Sequence, residues 1–253
     1  MNTPQAKTAE ETFFGSRFGA AKLDTKIERA GREAEWILER LTPAPRVLDL
    51  GCGRGRLSIA LRARGATVTG LDINGEYLRT AEERAGAAEL SITWRQGSFL
   101  DLADEECFDG IVSMFTSFGY HDEEGNAEVL RRVSRALVPG GVFVLEVLHR
   151  DAPGMLQGDV TLERTPEGEE ILKERSVDLL TSRRTLRFRY LAGDTVRDGG
   201  ELVVRMYALH ELIALFDRFG LDVEEVHSNA RGVAFTPESE HIVLVGRRRT
   251  VAS

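Results

Sequence analysis

Only two cysteines, Cys52 and Cys107, occur in this chain of 253 residues, far apart and near no cluster of His or Cys. That scarcity excludes a disulfide framework, suggests no metal site of zinc type, and fits a reducing compartment. Long apolar runs are missing as well: none approaches the roughly 18 to 20 residues that cross a bilayer. The N-terminal stretch MNTPQAKTAEE has no basic start leading into an apolar segment, so no targeting signal is read there. A soluble, cytoplasmic protein without a membrane partner is the expectation. Basic excess is absent too. Lys and Arg number 33 against 41 Asp and Glu, a formal net charge of −8, which argues against a broad basic surface for nucleic acid. The one dense basic run, Arg247 to Arg249, lies near the C-terminus and reads as solvated. No internal repeat or low-complexity segment is found.

What is present is an alternation of two periodicities. From Ile27 to Leu41, Ala30, Ala34, Ile37 and Leu38 recur at helical spacing, and Pro43 and Pro45 stop the helix. A strand, Arg46 to Leu50, leads into a glycine turn and a helix marked by Leu57, Ala60 and Leu61. The pattern repeats: strand ATVTGLD, helix 75–87, strand LSITWRQ, strand FDGIVSMF, helix 122–138, and the apolar strand VFVLEVL after PGG. Strands alternating with helices predict a parallel sheet covered on both faces. After Arg150 the texture changes. Leu186, Phe188 and Tyr190 alternate with Arg187 and Arg189, and Leu202, Val204 and Met206 share a face, so residues 182–207 read as an antiparallel hairpin turning at GDTVRDGG. EEILKERSVDLL reads as a third strand beside it. A helix over 210–219 and strands LDVEEV and HIVLVGR then complete the chain.

The turn VLDLGCGRGR, residues 47–56, carries the most information. Glycine at alternate positions lets a ligand approach the backbone, and the turn follows the first strand, where open parallel sheets bind ligands. A dinucleotide turn needs G-x-G-x-x-G, but Arg56 stands where the third glycine belongs, and no Gly-Lys-Ser/Thr follows as a phosphate loop requires. Asp49, two residues before the turn, would repel a pyrophosphate and attract an ammonium group. Asp72 ends the second strand, from which a carboxylate can accept hydrogen bonds from both hydroxyls of a ribose. A ligand with a ribose and a positive charge, needing no phosphate, satisfies both.

Asp49-x-Gly51-x-Gly53-x-Gly55, followed by Asp72, resembles the first two motifs of the class I S-adenosylmethionine (SAM) dependent methyltransferases. RQGSFLDL, FDGIVSMFTSFGY and LVPGGVFVLEV resemble the later motifs in order, over roughly residues 24–150 and again 208–247. The resemblance implies an α/β, Rossmann-like, seven-stranded, mostly parallel sheet with its last strand antiparallel, helices on both faces, and an antiparallel β insertion after the fifth strand. It implies an N-terminal helical lid and first helix over 1–45, the SAM-binding core over 46–150, the insertion over 151–207, and completion of the core over 208–253. SAM is the implied cofactor and S-adenosylhomocysteine its product. Its methionine end would lie over Asp49, Gly51, Cys52 and Gly53, its ribose on Asp72, and its adenine between Ile73 and Ser98–Phe99, with Phe115 also at the cofactor. Many relatives have an acid where this chain has Ser98, whose uncharged hydroxyl makes a weaker bond to the adenine amino group. Cys52 reads as a small residue beside a close-packed ligand.

Methyl transfer from a sulfonium is an in-line displacement that gains most from alignment of the reactants, an effect reaching roughly 7 to 11 kcal/mol. A hydroxyl acceptor also benefits from a base. His121, just beyond the fourth strand, is the candidate base with Tyr120 beside it. Against this, His121 precedes a helix whose acids, Asp122, Glu123 and Glu124, suit the helix dipole. Phe118, Glu146 inside its apolar strand, Phe14 of the N-terminal ETFFGSRFGA and Arg231 of ARGVAFTPES are the expected acceptor-binding residues, Arg231 as a bidentate partner for an anionic acceptor. The loop FTSFGY resembles small bacterial methyltransferases that include the N,N-dimethyltransferases of nucleotide-linked amino sugars. The expected activity is methylation of nitrogen or oxygen in a small molecule, without metal. An RNA or protein methyltransferase on the same core, or a nonenzymatic SAM-binding module, are the alternatives. The edge of the hairpin at 182–207 offers a surface through which two copies can pair as a homodimer.

Overall fold

The computed structural model describes residues 27–164, 170–193 and 195–250. Its elements follow the alternation of the sequence. Helix α1 (Ile27–Leu38) precedes β1 (Arg46–Leu50), α2 (Arg56–Arg62), β2 (Thr67–Asp72), α3 (Gly75–Ala87) and β3 (Thr93–Gln96). After a single 3-10 turn at Phe99–Asp101 come β4 (Phe108–Ser113), α4 (Glu123–Ala136) and β5 (Leu137–Leu148). Strands β6 (Asp159–Arg164), β7 (Glu170–Asp178), β8 (Arg183–Ala192) and β9 (Thr195–Arg205) follow, then α5 (Leu209–Arg218), β10 (Leu221–His227) and β11 (His241–Arg248).

Seven strands form one sheet in the order β10-β11-β5-β4-β1-β2-β3. All pairs among β1 to β5 are parallel, whereas β11 runs antiparallel to both β5 and β10. The expected single reversed strand is therefore present. Residues Val142 to Val147 of β5 are buried without interruption, as a strand covered on both faces requires. One cluster around Leu48, Ile111, Leu130, Phe143 and Phe216 fills one face of this sheet, and another around Ile37, Val47, Leu61 and Val243 fills the other.

The insertion after β5 is a separate antiparallel sheet, β6-β7-β8-β9. It has four strands rather than three. Strand β6 escapes the pattern reading because it lies at the sheet edge with Val160 and Leu162 both exposed, so no apolar face marks it. The hairpin turn sits at Gly193, not across GDTVRDGG: Thr195 to Arg205 are all strand, and Gly199 and Gly200 form a bulge opposite Phe188. Two boundaries move as well. Helix α1 stops at Leu38, and PGG lies inside β5, where the register jumps between Phe108↔Leu137 and Gly110↔Val142.

Candidate active site

The polypeptide crosses from one side of the sheet to the other between β1 and β4, and the site lies at the carboxyl ends of these strands. Gly51, Gly53 and Gly55 all adopt positive φ, at 75°, 54° and 78°, so the turn after β1 needs glycine for its conformation as well as for approach. Beyond β4 the chain turns back toward this loop. A Cβ on Gly51 would stand 2.6 Å from Ser117, and the Ser117 hydroxyl donates to Met114 O at 2.8 Å.

Between the two loops opens a cleft of about 1080 Å³, counting the space open to solvent at its mouth. Asp49, Gly51, Cys52, Gly53, Asp72, Ile73, Ser98, Phe99 and Phe115, all expected at the cofactor, line it, and so do Tyr120 and His121. Residues as far apart in sequence as Asp49 and His121 are thereby brought to one cleft. Asp49 is 3% exposed, and burial pushes its carboxyl up to about 6 against the opposing Ser58 hydrogen bond and the charge of Arg56. Burial raises Asp72 also, although its Oδ2 accepts from Gly53 N at 2.8 Å and its Oδ1 from Asn74 N at 2.8 Å. Each oxygen keeps a lone pair for a further donor. The Cys52 thiol is pushed up by burial beside the two carboxylates, which keeps it a thiol.

Ser98 is committed to the chain: its Oγ accepts from Leu100 N at 3.2 Å, capping the 3-10 turn, while Asp101 accepts from Ser98 N at 2.8 Å. The nearby acid thus braces the backbone and is absent from the cleft wall. Beyond β4, His121 O accepts from Arg183 Nη2 at 2.6 Å and from Asn126 Nδ2 at 2.9 Å, bonds that fix the backbone and leave the ring out of them. Asp122 caps α4 by accepting from Gly125 N at 2.7 Å. Partial burial holds the His121 imidazole below its ordinary 6.5, with Asp122 opposing. A neutral imidazole is the form able to take a proton. Tyr120 packs against the apolar face of the insertion, on Ile171, Phe188 and Leu202.

Three expected acceptor residues fall elsewhere. Phe118 is 2% exposed and packs on Tyr207 at a ring separation of 5.7 Å, because the chain buries it in the core before returning to the cleft at Tyr120. Arg231 is exposed in the β10–β11 loop, where Asn229 accepts from its backbone N–H. Glu146 lies under the 115–116 loop, its Oε2 accepting from Phe115 N at 3.2 Å. Phe14 lies outside the described residues. Sequence reading missed Arg54, Arg56, Tyr77, Arg84 and Ser117 on the wall. Arg56 was visible as the residue displacing the third glycine, but its guanidinium lies over the Phe115 ring at 4.3 Å and pairs with Glu33 of α1, contacts no local pattern signals.

The donor groups suit SAM. A buried carboxylate lines the cleft where an ammonium group can compensate it, a strand-end carboxylate retains lone pairs for further donors, and apolar Ile73 and Phe99 line the same cleft. Among the described residues no group of three or more His, Cys, Asp or Glu gathers to hold a metal ion, and no helix is long and apolar enough to cross a membrane.

Residues 47–141 match the family model described as a methyltransferase domain. The ubiquinone biosynthesis O-methyltransferase of Pseudomonas syringae is 36% identical over 124 residues, 48% of this chain and 52% of that protein. The chain thus spans about half the length of this curated relative. The CcbJ methyltransferase of Streptomyces caelestis superposes with a TM-score of 0.76 at 24% identity, over 87% of this chain and 90% of that one. CalS10 of Micromonospora echinaspora, an amino pentose methyltransferase solved with SAM bound, superposes with a TM-score of 0.68 at 20% identity, over 97% and 100%. At such identities the superpositions establish the fold. Residues 47–141 are thus similar to a methyltransferase domain, and the chain has the Rossmann-like fold of these solved methyltransferases.

Proposed function

We propose that this protein transfers a methyl group from SAM to a nitrogen or oxygen of a small-molecule acceptor. The observation that carries the reading is a cleft lined by Asp49 and Asp72 together with Tyr120 and His121. Bound SAM supplies an electrophilic methyl group on its sulfonium. Asp49 and the glycine turn hold the amino acid end, Asp72 accepts from the ribose hydroxyls, and Ile73 and Phe99 flank the adenine. Cys52 supplies a small apolar surface and Phe115 a wall toward the acceptor. The neutral His121 ring accepts a proton from a hydroxyl or ammonium acceptor, with Tyr120 beside it, and alignment in the cleft does the rest.

Similar proteins include both an O-methyltransferase and an amino pentose methyltransferase, which supports nitrogen and oxygen alike as the acceptor atom. The net charge of −8 supports a small molecule over RNA. Calorimetric titration with S-adenosylhomocysteine tests the donor half, with binding at micromolar protein expected and absence of heat overturning it. Release of S-adenosylhomocysteine from SAM across a panel of amino sugars and phenols tests the acceptor half.

A further inference from the structure

Phe115 and Thr116 occupy the left-handed region one after the other, at φ 59° and 58°. Neither is glycine, and Thr is β-branched, for which this conformation is a true outlier. Such residues cost of order 1 to 3 kcal/mol each and persist only where surrounding contacts fix them.

Glu146 contacts both backbones. Glu146, at the carboxyl end of β5 and 8% exposed, accepts from Phe115 N through Oε2 at 3.2 Å and from Thr116 N through its own carbonyl oxygen at 3.3 Å. The ring of Phe115 is held from the other side by the Arg56 guanidinium at 4.3 Å, itself paired with the buried Glu33. Phe115 therefore has its backbone fixed by β5 and its ring fixed by α2, and it lines the cleft between the donor residues and Tyr120.

We propose that Glu146 is a positioning residue: its carboxylate pins the strained Phe115–Thr116 pair so that the Phe115 ring forms the wall against which SAM is aligned. This rests on the donor reading above. A carboxylate in an otherwise apolar strand has its reason here, since an aliphatic side chain would take this acceptor from the Phe115 N–H. The role goes through Phe115 and requires no contact between Glu146 and either reactant.

Four proteins test it by calorimetry with S-adenosylhomocysteine: wild type, Glu146→Ala, Glu146→Gln, and Glu146→Ala combined with Thr116→Gly. Glu146→Ala is expected to bind about tenfold more weakly, as the loop relaxes from its strained conformation. Glu146→Gln keeps an acceptor for the Phe115 N–H and is expected to bind within about threefold of wild type. Glycine accepts positive φ freely, so Thr116→Gly in the Ala background is expected to restore most of the loss. Unchanged affinity in Glu146→Ala, or a loss in folded Glu146→Gln equal to that of Ala, or no recovery with Thr116→Gly, overturns the positioning role while leaving SAM binding intact. Absence of binding by the wild type overturns the donor reading itself, and the role with it. Should Glu146→Ala fail to fold, Thr116→Gly alone decides: relief of strain raises the thermal midpoint, and a lowered midpoint overturns the proposal.

Discussion

The Ser58 hydroxyl donates to Asp49 Oδ2 at 2.6 Å across the glycine turn, and Ser58 is fully buried. This bond is a principal force holding the Asp49 carboxyl down against its desolvation, which nonetheless carries it to about 6.

A pH dependence with a definite sign follows. The folded-state value lies above the ordinary 3.8, so the native protein holds the proton more tightly than the unfolded chain. Asp49 therefore contributes stability below about pH 4 that is lost as pH rises through about 6, about 3 kcal/mol in all. Ligand affinity runs the other way, because only the ionised carboxylate attracts an ammonium group. Calorimetry with S-adenosylhomocysteine at successive pH values is expected to show affinity falling about tenfold per unit below pH 6. In Ser58→Ala the pKa climbs further, and the fall begins at higher pH.

Asp72→Ala removes the carboxylate proposed to accept from both ribose hydroxyls and also the acceptor of Gly53 N–H and Asn74 N–H. The loss to S-adenosylhomocysteine binding is expected to be about 3 kcal/mol, a factor of over 100. Wild-type affinity in this variant, measured by the same titration, would contradict the ribose assignment.

Gly55 separates α2 from α3 and β3: a Cβ there would lie 2.9 Å from both the Ala81 Cβ and the Trp94 ring, at φ 78°. Gly55→Ala combines overpacking with a strained backbone and is expected to cost about 2 to 4 kcal/mol in denaturant unfolding. Gly65 provides the control. Its φ is 95°, yet nothing lies within 4 Å of an added Cβ, so Gly65→Ala is expected to cost about 1 to 2 kcal/mol.

His121 titrates below 6.5 because its ring is partly buried, which an NMR titration of its ring protons reads directly. With a hydroxyl acceptor, His121→Ala is expected to lower turnover by about 10² or more while S-adenosylhomocysteine affinity stays at the wild-type level. Equal turnover in the variant would leave His121 as a residue that merely precedes α4.

Much of this molecule is written locally in its sequence. Apolar residues at period 3.6 or 2 announce α1 through α5 and the strands of the main sheet, since burial of one face or both selects residue type at each position. The turn from Asp49 to Gly55 and the acid at Asp72 are likewise local, and residues of both line the cleft. What was not legible depends on contacts between distant segments or on the absence of burial. Strand β6 is an exposed edge held by pairing to β7, so its residues carry no core pattern.

The sequence by itself determined the sheet, its helices and the glycine turn, because each is set by periodicity or by a backbone conformation that only certain residues adopt. The tertiary structure alone decided that Phe118 is core, that Arg231 stays off the cleft, and that Glu146 serves the Phe115 backbone across 31 residues of sequence. A side chain's role there depends on which loop packs above it, and packing is a property of the whole fold.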